Sequence, residues 1–130
     1  MMRTTKEWVR KAEADRIIAR KTSRDKTPLH DGACFHCQQC TEKYLKGLLN
    51  ELGLTVPRTH NLDEILNRLK PHYPALRSLR RGLIFLTEFA VETRYPGNNA
   101  SKRQAEAALR WSDRVRQEVR TLLGIRPRRK

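Results

Sequence analysis

Apolar residues recur every three or four positions along most of this chain, and no stretch alternates with the period of two that marks a half-buried strand. Cys37, Cys40, Tyr44, Leu48 and Leu52 follow one another at 3, 4, 4 and 4 residues. That stripe predicts a helix from Asp31 or Gly32 to Leu52, closed by Gly53. Before it, a helix from Thr5 to Arg24 carries a sparser apolar set: Trp8, Ala12, Ile18 and Ala19. After it, Asn61 opens a third helix with Glu64 three residues on, the spacing of a capping box, and Leu62, Ile65, Leu66 and Leu69 form its apolar face. A fourth helix is predicted from Ala75 to Thr93 on Leu76, Leu79, Leu83, Leu86 and Ala90. A fifth runs from Ser101 to Gly124, with Ser101 and Gln104 as a second capping box and Ala105, Ala108, Ser112, Val115, Val119 and Leu122 as its seam. Helices with one stripe each, joined by short loops, predict an all-α, antiparallel up-and-down bundle of about five helices.

The chain has 130 residues, which fits one domain over 1–130, with its core within 6–123 and a basic tail at 125–130. The 28 Lys and Arg against 14 Asp and Glu give a net charge of +14. So large an excess points to an anionic partner: a nucleic acid, a nucleotide or an acidic protein. A basic but merely soluble surface is the plainer alternative. No run of apolar residues is long enough to span a membrane. The N-terminal stretch lacks the apolar segment of a signal peptide, so a cytoplasmic location is expected.

The segment from Cys34 to Cys40 brings three cysteines and His36 together. A zinc or iron–sulfur site needs a fourth ligand at the right spacing. The stretch after Cys40 supplies none, so the cysteines are expected as small apolar core residues and no metal or cofactor is expected. Gln39, Lys43, Lys46 and Asn50 recur at 4, 3 and 4 on the same helix. They form a polar face, either solvated or turned to phosphate. The fifth helix carries Arg103, Arg110, Arg114, Arg116 and Arg120. That basic surface suits sequence-independent phosphate contacts. The few aromatics give little sign of a platform for stacking single-stranded bases.

One polar break stands out, from Val91 to Lys102. Pro96 disfavours helix at Tyr95, so the fourth helix must end near there and Arg94 falls at its C-terminus. Arg94 either compensates the carbonyl end of the helix dipole, or stands with Tyr95 and Asn99 beside the N–H groups that start the fifth helix and favours an anion there.

Three motifs in order resemble the HEPN family, helical domains of higher eukaryotes and prokaryotes named for nucleotide binding. They are the stretch from Phe35 to Leu49, with Gln39 before Glu42–Lys43 and Leu45–Lys46; Thr59–His60–Asn61–Leu62; and Arg94–Tyr95–Pro96. The resemblance covers Lys6 to Leu123. It implies a helical bundle that pairs as a homodimer, often encoded beside a small nucleotidyltransferase, and many members are RNA-cutting toxins. Those ribonucleases carry an arginine, four to six residues, then a histidine. Here the positions after Arg94 that would hold the histidine are Asn99, Ala100 and Ser101. Arg24 and His30 have the spacing but lie in the first linker, away from the family's site. The resemblance therefore implies a non-catalytic subunit that binds nucleotide or RNA phosphates, with Arg94, Tyr95, Lys43, Lys46, Gln39 and Asn99 as candidate contacts. The alternative is a divergent, metal-independent ribonuclease that draws its histidine from elsewhere, such as His36 or His60.

Overall fold

The computed structural model describes residues 1–25, 29–91, 96–97 and 99–127. Its helices are α1 (Arg3–Arg24), α2 (His30–Glu51), α3 (Leu62–Leu69), a 3-10 helix (Pro74–Leu79), α4 (Arg80–Thr87) and α5 (Lys102–Leu122). There is no strand among the described residues. No helix among them is long and apolar enough to cross a membrane.

Polar cross-links fix the directions of the three long helices. The Met2 N–H donates to Glu51 (2.9 Å), Asn50 donates to Thr5 (3.0 Å), and the Leu29 N–H donates to the Thr22 carbonyl (3.3 Å), so α1 and α2 run antiparallel. Arg16 meets Asp113 and Arg116 meets Glu13, so α1 and α5 are antiparallel too. Consequently α2 and α5 run in the same direction, and α3, the 3-10 helix and α4 form the return between them. Asp31 accepts from the Ala100 N–H (2.6 Å) at the start of both helices, and Tyr44 accepts from Arg120 further along.

Helix α2 is the central rod. Its predicted stripe is buried at Cys37, Cys40, Tyr44 and Leu48, and Leu45 and Leu49 on another side are buried as well. Leu62, Ile65, Leu66 and Leu69 of α3, Leu83 and Leu86 of α4, and Val115 and Val119 of α5 close the core around it. Gly53 ends α2 at φ +75°, where a side chain would be strained, and lets the Leu54 N–H reach the Leu49 carbonyl (3.1 Å). Ser101 and Gln104 make the reciprocal capping box read from the sequence.

Four expectations need correction. The buried positions of α1 are Thr5, Ala12, Asp15 and Ala19, while Ile18 is 43% exposed. The spacing is helical, but polar residues stand in the stripe because α2 offers them partners. Asn61 caps α3 by accepting from the Asp63 and Glu64 N–H groups, yet its own N–H donates to Thr59 Oγ1 (3.0 Å), so no box closes on Glu64. The fourth helix begins as 3-10 turns after Pro74 and ends at Thr87 rather than Thr93. Its last N–H groups, from Glu88 to Ala90, reach back three residues instead of four, while Phe89 turns into the core against Phe85, edge to face at 5.2 Å. Finally, the α5 seam stops at Val119, with Leu122 37% exposed.

Candidate phosphate-binding groove

The antiparallel register of α1 and α5 sets two ladders against each other: Glu13, Arg16 and Arg20 on one helix, Asp113, Arg116 and Arg120 on the other. Arg116 forks onto Glu13, with Nε and Nη2 each 2.8 Å from a carboxylate oxygen. Tyr44, wholly buried on α2, donates its hydroxyl to the same carboxylate (2.6 Å) and accepts from Arg120 Nη1 (3.1 Å). Arg16 and Arg20 share Asp113 at 3.3 and 3.5 Å. A groove of about 840 Å³ opens over this network, lined by Glu13, Arg16, Arg116, Arg120 and Arg126, with Ile17, Ile125 and Pro127 as its apolar wall. Among the described residues, four arginines and one carboxylate, that of Glu13, line the groove.

The electrostatics of Glu13 show what holds the cluster together. Burial opposes its ionisation, but hydrogen bonds from Arg116 and Tyr44 and the nearby charge of Arg120 outweigh that and bring the carboxyl down to about 2. The same bonds push Arg116 further up. Glu13 stays ionised and holds the guanidinium planes in place. A guanidinium has five N–H donors, and Glu13 takes two of those on Arg116.

A pH dependence follows. Because the folded carboxyl titrates near 2 and an unfolded glutamate near 4.5, Glu13 adds stability above pH 4.5, and that contribution is lost as pH falls toward 2. Thermal melts of Glu13→Gln and wild type are expected to lie furthest apart at neutral pH and to converge on acidification. A constant separation would mean that Glu13 does not titrate as this network requires.

The candidates read from the sequence fall in several places. Arg94 and Tyr95 lie outside the described residues, and Asn99 is exposed. Of the face Gln39, Lys43, Lys46 and Asn50, Lys46 is buried and the other three are half-buried. Lys43 pairs with the buried Asp15, which also accepts from His36 (2.8 Å), and Lys43 borders a cavity of about 340 Å³ with Trp8 and Lys11. Lys46, 6% exposed, donates to the buried Glu42 (3.0 Å). Glu42 also accepts from Gln38 (3.1 Å) and from Nδ1 of His60 (2.9 Å), whose ring is largely exposed. Gln39 donates to Gln38 (2.7 Å). The three cysteines are buried; burial pushes the Cys40 thiol up to about 12 and Cys37 higher still, so both are neutral thiols at physiological pH. Sequence reasoning saw the arginines of α5 but missed Glu13 and Tyr44, which order them.

The HEPN domain family matches residues 5–122 of this sequence. The chain belongs to the HEPN family. Among solved structures, ST0689, described as an archaeal HEPN homologue, superposes with a TM-score of 0.75 at 26% identity, over 95% of this chain and 99% of its own. TT1696 from Thermus thermophilus superposes with a TM-score of 0.80 at 23% identity, over 92% and 98% respectively, a likeness of fold. No curated protein matches the sequence. Within this HEPN domain, the residues just after the break tie α5 to α2: the Ala100 N–H binds Asp31, and Ser101 caps α5.

Proposed function

We propose that this HEPN domain is a non-catalytic subunit that binds the phosphates of a nucleotide or RNA, pairs with a second copy of itself, and works beside a small nucleotidyltransferase. The observation that carries the reading is the α1–α5 groove, in which Glu13 and Tyr44 hold Arg116 and Arg120 in fixed orientations beside Arg16 and Arg126. Arginines held in advance lose little freedom on gripping a phosphate, and bidentate contacts suit its geometry. Arg94, Tyr95 and Asn99 are proposed as a further contact at the break before α5. Pairing is supported by exposed Val91 beside that break and by exposed Ile84 on α4.

A second reading, a divergent ribonuclease, draws on His60. Its Nδ1 is held by a buried carboxylate, the arrangement that orients a histidine for proton transfer. One experiment separates the two. Pyrophosphate is titrated by calorimetry, at concentrations where sedimentation reports a dimer, and RNA integrity is followed on the same samples. Binding that falls at least tenfold in Arg120→Ala/Arg126→Ala, with RNA left intact, supports the binding subunit. Cleavage abolished by His60→Ala would overturn it in favour of the nuclease.

A further inference from the structure

We propose a second site on the flank of α5 that meets α4, where Trp111 stacks an unpaired base of a single-stranded nucleic acid and Arg110 and Arg114 take the neighbouring phosphates. The proposal rests on the phosphate-binding reading for the class of ligand and adds the recognition of its bases.

The site is built from helix geometry. Arg103, Arg110 and Arg114 lie seven and four residues apart, so they form a ridge along one side of α5, with Trp111 beside it toward α4. Helix α4 makes room for the indole by having glycine at position 82. A Cβ there would come within 2.1 Å of Cδ2 and Cε3 of Trp111. The ring therefore lies directly on the α4 backbone and is held against it. The other face carries Arg114, whose Cζ stands 5.3 Å from the centroid in a cation–π contact, so a base stacks there as the guanidinium swings off the ring onto a neighbouring phosphate. A cleft of about 250 Å³ lies here, lined by Arg110, Trp111 and Arg114.

Charge identifies the occupant. The groove arginines Arg16, Arg116 and Arg120 have carboxylate partners. Arg81, Arg103, Arg110 and Arg114 pair with no carboxylate of the described residues. A second copy of the chain seated on this face by a two-fold axis would set unpaired arginines against their own kind. These exposed guanidinium groups suit an anion, and an aromatic ring in the cleft suits one with a flat π-surface. A single strand offers both, because its bases are free to splay out and each has a face to stack. A duplex keeps its bases inside and cannot use the ring.

The test uses the full chain carrying Trp8→Phe, which leaves Trp111 as the sole tryptophan. Titration with a single-stranded oligouridylate of about twelve nucleotides is expected to quench its fluorescence, while pyrophosphate and a duplex of equal length leave the emission unchanged. Trp111→Ala is expected to weaken oligouridylate binding about 5- to 100-fold, and Trp111→Phe to retain most of it. Should Trp111→Ala fail to fold, the quench and the phenylalanine variant still decide. Oligouridylate binding without a quench overturns this inference alone. A quench that persists in Arg120→Ala/Arg126→Ala while pyrophosphate binding is lost supports the two sites as separate. Absence of binding to either ligand overturns this inference together with the phosphate-binding reading.

Discussion

Replacing Glu42 with alanine is expected to destabilise the fold by about 3–5 kcal/mol, read as a lower midpoint in urea. The carboxylate and its partner Lys46 are both nearly sealed from water, with side-chain exposures of 6% and 8%. Removing Glu42 strands the Lys46 ammonium in the core, since the 3.0 Å bond to Glu42 is its ion pair. It also takes an acceptor from Gln38 and frees His60, which pins the loop before α3. Lys46→Met should cost less, because Glu42 would keep its bonds to His60 and Gln38. The asymmetry between the two variants is the signature of a buried charge left alone, not of a lost contact. A loss of under about 1 kcal/mol for Glu42→Ala would mean that water reaches the pair and that Glu42 does not organise this end of α2.

Gly82→Ala is the second large effect, and its sign runs against helix propensity. In an open helix this change stabilises by about 1 kcal/mol. Here the new methyl would lie 2.1 Å from two ring carbons of Trp111, atoms of a rigid indole. Gly82 is buried, so α4 and α5 must separate or the ring must leave its seat. Overpacking of this kind costs about 1–3 kcal/mol, occasionally more. In a double-mutant cycle, Gly82→Ala should cost far less when Trp111 is already alanine, because the methyl then enters vacated space. Additive losses would show that the ring does not rest on Gly82.

Much of the bundle was legible in the sequence because apolar spacing and caps are local signals. The α2 stripe through Cys37 to Leu48, the Gly53 stop and the Ser101–Gln104 box are of that kind. What escaped was whatever depended on a neighbouring helix. Asp15 and Thr5 look like surface residues of α1, and they are buried because Lys43, His36 and Asn50 of α2 receive them. For the same reason, Lys43 and Asn50 of the polar face bond across to α1, while Gln39 and Lys46 bond within α2, although the spacing is equally that of a solvated face. The 3-10 start after Pro74 and the early end at Thr87 reflect packing of Leu76, Leu79 and Phe89 that periodicity alone does not reveal.

The candidate site divides along the same line. A run of arginines on α5 is visible in the sequence, but nothing local says which are paired. The α1–α5 register gives Arg116 a fork on Glu13 and leaves Arg110 and Arg114 beside Trp111 without a carboxylate of the described residues. Tyr44 reads as one more core aromatic, yet its hydroxyl joins Glu13 to Arg120. The aromatic of the α4–α5 flank passed unnoticed because Arg110, Trp111 and Arg114 converge only on a helix seated over Gly82.

The central claim is that the α1–α5 groove grips phosphate, and the salt dependence of RNA binding tests it most directly. Affinity for a single strand of about twelve nucleotides would be measured from about 50 to 200 mM KCl for wild type and for Arg120→Ala/Arg126→Ala. Each phosphate contact on a single strand contributes about −0.7 to the slope of log affinity against log salt. Wild-type binding is expected to weaken steeply, and the double variant to bind more weakly with a slope shallower by about 1.4. Equal affinities and equal slopes for the two proteins would contradict the account and leave the groove a structural ion-pair network.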